Sequence, residues 1–470
     1  MINIRGTKVS EAFKLSLAPL DAGGRGNFDW SAHVPPAASN DPLAGDLLRV
    51  GQAIYLADRA VRRPAGVGNA LRRFEVTIPV SEPKRLAAVA PLFERLAEFA
   101  TCDEWRIRFT LLRRERVERT ARRKEKPAEP VDIVSLFSGG LDSLCGAAFA
   151  ANRGLQPVFV THSPPGREAT QSLAGHVYTS LGQPALSRQD FAAYRLETRE
   201  ASGAGRQAVF PEHSRRSRPF FFLSLAAATA VRMRAGHVLM NENGALALSL
   251  PIRADTHGPF MARQAHSFIL RGFSEILAEL DPRDGPAPVF DNPFVRKTKG
   301  EACMELKAAG EQSLYAMSCE YTGRQRALLL RWLRKRPGRR QAFGNGPQCG
   351  LCIPCLVRRA GLKRAGVEDP ASRYFADAPS VWREANERGS AIAFFGVRNP
   401  PPLLNMIATN VVHLSRFCEA LLSMSTAELG ERYLAELRAN RDLPSGPAPT
   451  VAEALALMQR FARENLDFLQ

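Results

Sequence analysis

The sequence predicts an α/β protein with a parallel twisted sheet, preceded by an α+β region and followed by a helical region. Short apolar runs alternate with helical patterns between residues 132 and 309, as in parallel sheets covered by helices on both faces. Strand and helix patterns mix before this stretch, and after about residue 361 the patterns are mostly helical. We therefore divide the chain into regions 1–128, 129–365 and 366–470.

The composition is that of a soluble globular protein. Hydrophobic residues make up 45% and charged residues 24% of the 470 residues, which excludes general disorder. No apolar run approaches the roughly 18–20 residues of a membrane-spanning helix, and the N-terminus has no signal-peptide pattern. Three of the eight cysteines lie in one short stretch, which indicates metal binding, and a chain of this length does not suggest a disulfide framework. We expect a cytoplasmic protein that does not enter membranes.

The chain is strongly basic, with a formal net charge of +17. Such a charge can attract nucleic acid, nucleotides or an acidic partner. The basic residues are not interleaved with aromatic residues in a base-stacking pattern, so a solvated basic surface is the simpler interpretation. Nucleic-acid binding stays an alternative.

The first region has four predicted elements and no catalytic pattern. Leu47–Arg62 has the pattern of mixed strand and turn, Arg73–Val80 and Trp105–Leu112 alternate as strands do, and Pro83–Ala100 has apolar residues at helical spacing. The charged segment Arg113–Pro130 then predicts an exposed connector.

The middle and last regions contain the remaining elements. The predicted buried strands are Asp132–Phe137, Pro157–Thr161, Phe191–Leu196 and His237–Met240. The predicted helices are Asp142–Arg153, Glu168–Leu181, Pro219–Arg234, Phe260–Leu280, Thr298–Ala309, Glu428–Arg441 and Val451–Phe468.

A glycine-rich loop joins the first of these strands to the first helix. The string Ser138-Gly-Gly-Leu-Asp-Ser143 follows the strand directly and opens the helix. Parallel sheets bind ligands at the carboxyl ends of strands, and a helix N-terminus offers free N–H groups to a phosphate. Gly139 and Gly140 would allow a close approach of the backbone, and Asp142 could hold Mg2+ or the turn. The loop resembles the pyrophosphate loop of N-type ATP pyrophosphatases, which form AMP by adenylating a substrate oxygen.

Three cysteines are clustered in Cys349-Gly-Leu-Cys352-Ile-Pro-Cys355, and Cys319 is the expected fourth ligand. Four thiolates are typical of a structural Zn2+ site, and an iron–sulfur cluster is the main alternative.

The loop and the cysteines together resemble 7-cyano-7-deazaguanine synthase, over roughly residues 130–365. Ser217-Arg218-Pro219 resembles the family's Gly-Arg-Asn segment and places Arg218 near the ATP phosphates. The segment from Asn292 to Glu301 resembles the family's lysine segment, with Lys299 as the best match to the active-site lysine and Lys297 as the second candidate.

Several positions depart from the synthase pattern. The family's acidic substrate segment is replaced by Asn241–Pro251, with Glu242 and Asp255 close in sequence, and both flanks of the chain are additional. The long architecture resembles synthase-like proteins of bacterial antiphage systems, especially the Qat system. That resemblance implies a defence role in which a deazaguanine carboxylate is joined to the amine of a partner protein.

The resemblance therefore implies an ATP-dependent C–N ligase of the adenine nucleotide α-hydrolase fold, with ATP and Mg2+ at the loop and Zn2+ at the cysteines. The alternatives are a nitrile synthase that uses ammonia, a tRNA- or nucleic-acid-modifying enzyme of the same superfamily, and an inactive nucleotide-binding scaffold. Asp142, Lys299 and Arg218 are the expected catalytic residues. The expected nucleotide-binding residues are Ser138, Gly139, Gly140, Leu141, Asp142, Ser143 and Arg218.

Overall fold

The computed structural model describes most of the chain. Its described residues are 2–8, 11–17, 28–29, 41–61, 72–112, 131–162, 169–184, 191–196, 212, 216–252, 263–281, 286–307, 316–320, 346–395 and 401–470. The predicted connector Arg113–Pro130 lies outside these ranges.

A six-stranded sheet forms the centre of the protein, in the order β10-β9-β6-β7-β8-β3. Strands β6 to β10 run parallel and β3 pairs antiparallel at one edge, so the predicted parallel sheet is confirmed. Its strands are β3 (Phe28–Asp29), β6 (Ile133–Leu136), β7 (Pro157–His162), β8 (Phe191–Leu196), β9 (His237–Leu239) and β10 (Val289–Asp291).

A second sheet contains the N-terminal strands, in the order β2-β1-β4-β5. Its outer pair β4–β5 is parallel, and β1 pairs antiparallel with β2 and β4. The strands are β1 (Ile2–Lys8), β2 (Glu11–Leu17), β4 (Arg73–Val80) and β5 (Glu104–Leu111), of which the last two confirm the sequence prediction.

Fifteen α-helices lie within the described residues. The first nine are α1 (Pro42–Ala60), α2 (Pro83–Ala88), α3 (Ala90–Thr101), α4 (Leu141–Asn152), α5 (Ala169–Ser180), α6 (Arg218–Met233), α7 (Gly244–Ala247), α8 (Ser267–Leu280) and α9 (Lys299–Cys303). The C-terminal helices are α10 (Ile353–Ala365), α11 (Ala378–Arg388), α12 (Pro402–Ser423), α13 (Thr426–Arg432), α14 (Leu434–Arg438) and α15 (Val451–Leu469). None of the helices in the described part of the chain has both the length and the apolar character needed to cross a bilayer.

The prediction of mixed strand and turn for Leu47–Arg62 was wrong, because helix α1 continues through this segment to Ala60. The Asp41 side chain caps the helix by accepting a hydrogen bond from the Ala44 N–H (3.1 Å). α1 packs so closely on α6 that a Cβ added to Gly51 would lie 2.3 Å from the Ser224 Oγ. The small residues that permit this approach have weak helix signals in sequence, and tertiary packing decides the structure here.

Three predicted helices were too long. Phe260–Leu280 was expected to be one helix, but α8 begins at Ser267, where the His266 side chain accepts a hydrogen bond from the Phe268 N–H. In place of the helix predicted over Thr298–Ala309, the short helix α9 stops at Cys303 and is followed by a 3₁₀ turn at Met304–Leu306. The predicted helix Glu428–Arg441 divides into α13 and α14 at Tyr433.

One hydrophobic core extends across residue 129, the boundary predicted between the first two regions. The core joins side chains of α1, β4 and α3 with side chains of α6, α8 and the central sheet. A buried ionic network accompanies it, in which Arg72 pairs with Asp58 and Asp103, and the Ser217 hydroxyl donates to Asp58 (2.5 Å). This network fixes the start of α6 against the N-terminal region. The C-terminal helices form a second core with residues of α7 and α10.

Candidate functional site

The glycine-rich loop occupies residues 138–140, between the central strand β6 and helix α4. Gly139 has a φ of +76°, a conformation that disfavours any side chain. The Gly140 N–H donates to the Ser138 Oγ (3.3 Å), and the Ser143 hydroxyl donates to the Gly140 carbonyl (2.9 Å). These bonds close the loop over the first turn of α4.

Two neighbouring parallel strands deliver further polar residues to the same edge of the sheet. β9 lies beside β6 and leads into Glu242 and Asn243, while β10 lies beside β9 and leads through Asn292 towards Lys299. The Asn292 side chain donates to the Glu242 carbonyl (2.8 Å), which ties the two segments together. This edge is where open α/β sheets bind their ligands.

Lys299, which is buried, and Asp142, which is partly exposed, form an ion pair at this edge. Lys299 is the first residue of α9 and only 4% exposed, and its ammonium group donates to the Asp142 carboxylate. The Asn243 backbone N–H and side chain also donate to Asp142 (both 3.3 Å). Burial alone would lower the pKa of Lys299, but the carboxylates of Asp142 and Glu242 outweigh burial and raise this pKa. Lys299 is therefore a fixed positive charge beside the loop.

Glu242 is a third ionisable group in this site. Its carboxylate accepts hydrogen bonds from the side chains of Asn243 (3.1 Å) and Gln264 (3.2 Å). Burial, and next the negative charge of Asp142, raise the pKa of Glu242 to about 8, although Lys299 opposes the shift. The sequence showed Glu242 only as an acidic residue near the substrate segment. Its neighbours Asp142 and Gln264 are distant from it in sequence, so no local pattern could reveal this environment.

Glu242→Gln is expected to flatten the pH dependence of stability. Folded Glu242 keeps a proton that the unfolded chain releases above a pKa of 4.5, so the stabilisation is complete below 4.5 and is lost as pH rises through about 8. The wild-type free energy of unfolding should therefore fall more steeply with pH across this range than that of the variant. Urea unfolding at pH values on both sides of the range measures this difference. Equal slopes for the two proteins would show that Glu242 does not titrate as described.

The two other predicted cations have different surroundings. The Lys297 ammonium group donates to Glu305 (3.3 Å) and lies 5.5 Å from the centre of the Phe294 ring. Arg218 begins α6 as an exposed residue, with its guanidinium carbon 4.8 Å from the centre of the Phe222 ring. The geometry thus joins Lys299, and not Lys297, to Asp142. The contact between Arg218 and Phe222 lies within α6 and does not connect Arg218 to the loop. The position of Arg218 near the ATP phosphates therefore stays a prediction.

The four predicted cysteine ligands come together as expected. The sulfur atoms of Cys319, Cys349, Cys352 and Cys355 all lie within 4.8 Å of one another. Gly350, at a φ of +82°, turns the backbone between the first two clustered cysteines, and the Cys352 N–H donates to the Cys349 sulfur (3.2 Å). Four converging thiols at the start of a helix fit a tetrahedral Zn2+ site.

A short segment connects the cysteine cluster to the glycine-rich loop. The Met317 N–H donates to the Gly139 carbonyl (3.0 Å), and Cys319 follows two residues later. On the other side of the cluster, α10 carries Gly361, where an added Cβ would lie 2.4 Å from the Lys299 Cγ. The cluster therefore supports both the loop and the lysine through the backbone.

The sequence is similar to that of a known deazaguanine synthase. The chain is 25% identical over 252 residues to 7-cyano-7-deazaguanine synthase 1 of Sphingopyxis alaskensis, a match that covers 52% of this chain and 97% of that protein. No protein-family model matches the sequence, and no solved structure matches the chain.

Proposed function

We propose that this protein is an ATP-dependent, AMP- and pyrophosphate-forming ligase that activates a 7-deazaguanine carboxylate and transfers it to an amine. The observation that carries the proposal is the ion pair between the buried Lys299 and Asp142 beside the glycine-rich loop, at the carboxyl edge of the parallel sheet. The similarity to a deazaguanine synthase supports the choice of substrate. The amine is the N-terminus of a partner protein, and the biological setting is bacterial antiphage defence.

The proposed reaction has two steps. A carboxylate oxygen of the deazaguanine attacks the α-phosphorus of ATP, and pyrophosphate leaves with the electrons of the broken P–O bond. The amine then attacks the activated carbonyl, forms the C–N bond, loses a proton and expels AMP. The loop N–H groups and the dipole of α4 would bind the departing pyrophosphate. Lys299 would stabilise negative charge that develops in the transition state.

Two metal ions have separate places in this proposal. Mg2+ prefers phosphate oxygens, water and one or two carboxylates, and the Asp142 carboxylate beside the loop fits that donor set. When bound, Mg2+ would neutralise the pyrophosphate charge. Zn2+ at Cys319, Cys349, Cys352 and Cys355 would be structural, because four protein ligands leave no open coordination position.

A nitrile synthase that uses ammonia is the second candidate, since the match covers nearly the whole synthase relative. The departures of Asn241–Pro251 from the family's acidic substrate segment favour a different second step. Both candidates share the first adenylation step. They differ in the nucleophile, and a nitrile further requires a second activation of the amide that ammonia forms, with loss of the amide oxygen.

The products distinguish the candidates. Purified protein, ATP, Mg2+ and 7-carboxy-7-deazaguanine are incubated with the proteins encoded by neighbouring genes, with ammonium or with tRNA, and all products are analysed by mass spectrometry. We expect AMP together with a protein whose mass increases by the deazaguanine acyl group. AMP with only a free nitrile or amide would assign the protein to the second candidate, and a modified tRNA would assign it to nucleic-acid modification.

A further inference from the structure

The last helix of the chain places a buried carboxylate against the helix that carries Lys299. Glu464 of α15 accepts hydrogen bonds from the Gly300 N–H (3.0 and 3.1 Å) and from the Thr298 hydroxyl (2.7 Å). These two donors flank Lys299 in sequence. Glu464 is 5% exposed, so solvent does not compete effectively for the bonds.

The same hydroxyl also belongs to the cap of α9. The Thr298 Oγ1 accepts from the Glu301 N–H (3.2 Å), while the Glu301 carboxylate accepts from the Thr298 N–H (2.9 Å). Arg460, one turn before Glu464 on α15, donates to that Glu301 carboxylate (2.9 Å) and to the Arg296 carbonyl (2.9 Å). Two successive turns of α15 therefore hold both the cap and the segment that leads into it.

The space around Lys299 leaves little freedom for another backbone position. A Cβ added to Gly300 would lie 2.5 Å from the Arg364 Cγ and 2.6 Å from the Glu464 Oε2. The Lys299 side chain is packed equally closely on Gly361 of α10. Loss of the Glu464 bonds would release one side of α9 while α10 still presses on the other. The lysine would then move relative to Asp142.

We propose that Glu464 is a positioning residue, which fixes the N-terminus of α9 so that Lys299 is held at the glycine-rich loop. The C-terminal region is then a structural part of the active site. This inference rests on the proposed role of Lys299. It also requires helix α15, which lies outside the region of roughly residues 130–365 that resembles the synthase.

The kinetic test compares Glu464→Ala and Glu464→Gln with the control Asp467→Asn, an exposed carboxylate on the same helix. We expect Glu464→Ala to lower kcat for pyrophosphate release by about 10-fold to 100-fold, with KM for ATP changed less than about threefold. Glu464→Gln keeps an acceptor oxygen for the Gly300 N–H and should recover kcat to within about fivefold of wild type. Asp467→Asn should match wild type.

A double-mutant cycle tests whether Glu464 acts through Lys299. In a Lys299→Met background the further loss caused by Glu464→Ala should fall below about twofold, because the group being positioned is gone. Equal losses in both backgrounds, or a rise in KM alone, would overturn the positioning role.

A second readout does not depend on turnover. Brief acetylation followed by mass spectrometry measures the accessibility of Lys299 relative to the exposed Lys307. Glu464→Ala should increase the relative labelling of Lys299 by about fivefold or more, as expected when a buried amine loses a fixed position. Unchanged labelling would overturn the inference even if the enzyme is active. Increased labelling in a protein that forms no AMP would support the positioning and reject the proposed function.

Discussion

Lys299→Met is expected to reduce kcat for pyrophosphate release by about 100-fold to 1,000-fold. Removal of one charge that stabilises a developing anion typically has an effect of this size. Methionine keeps most of the length of the apolar stem that packs on Gly361, so the variant removes the ammonium group with little change in packing. Steady-state pyrophosphate release with saturating ATP and 7-carboxy-7-deazaguanine, in the presence of the proteins encoded by neighbouring genes as the source of the amine, measures the effect.

The control for this variant is Lys307→Ala, which removes an exposed lysine a short distance along the chain. It should keep wild-type kcat. Lys299→Met leaves the partly exposed Asp142 carboxylate without its buried partner, so its free energy of unfolding should fall by about 1–3 kcal/mol and must be measured at the assay temperature. Wild-type kcat in a folded Lys299→Met protein would remove Lys299 from the proposed mechanism.

Loss of Cys352, one of the four proposed zinc ligands, is expected to abolish turnover, with a decrease in kcat of at least about 100-fold. Structural zinc contributes directly to folding free energy, and the cluster here adjoins both the Met317–Gly139 bond and the helix that packs on Lys299. Cys352 is the N-cap of α10, a position that serine favours. Cys352→Ser therefore removes a metal ligand without removing a suitable cap. Metal analysis, thermal unfolding and pyrophosphate release are measured together.

Cys102→Ser is the matched control, because Cys102 is an exposed cysteine outside the cluster. This variant should retain one zinc per chain and wild-type kcat. If the wild-type protein is brown and contains iron and sulfide, the four cysteines hold an iron–sulfur cluster instead of zinc. A Cys352→Ser protein without metal that turns over ATP normally would show that the cluster does not support the loop.

The parts of the site that the sequence predicts are those in which local residues determine the backbone. Gly139 and its neighbours encode a turn between a strand and a helix, and the spacing of Cys349, Cys352 and Cys355 brings three thiols together. Both features depend on a few adjacent residues. They could therefore be predicted without knowledge of the tertiary structure.

The parts that were missed depend on contacts between distant segments. Glu464 reaches Gly300 across 164 positions, and Glu242 acquires its environment from Asp142 and Gln264. Neither glutamate has a distinctive neighbour in sequence. Helix α1 is a different case, because its apolar residues Leu47, Val50 and Ile54 recur at helical spacing and a local pattern was therefore present.

The most direct test of the central claim is the position at which ATP is cleaved. ATP labelled at the α-phosphate is incubated with Mg2+, 7-carboxy-7-deazaguanine, the proteins encoded by neighbouring genes as the source of the amine, and either the wild-type protein or Asp142→Ala, and the labelled products are separated. We predict labelled AMP with an equal amount of pyrophosphate from the wild-type protein, and neither product from Asp142→Ala. Labelled ADP, or equal AMP formation by the two proteins, would contradict an adenylating site at the glycine-rich loop.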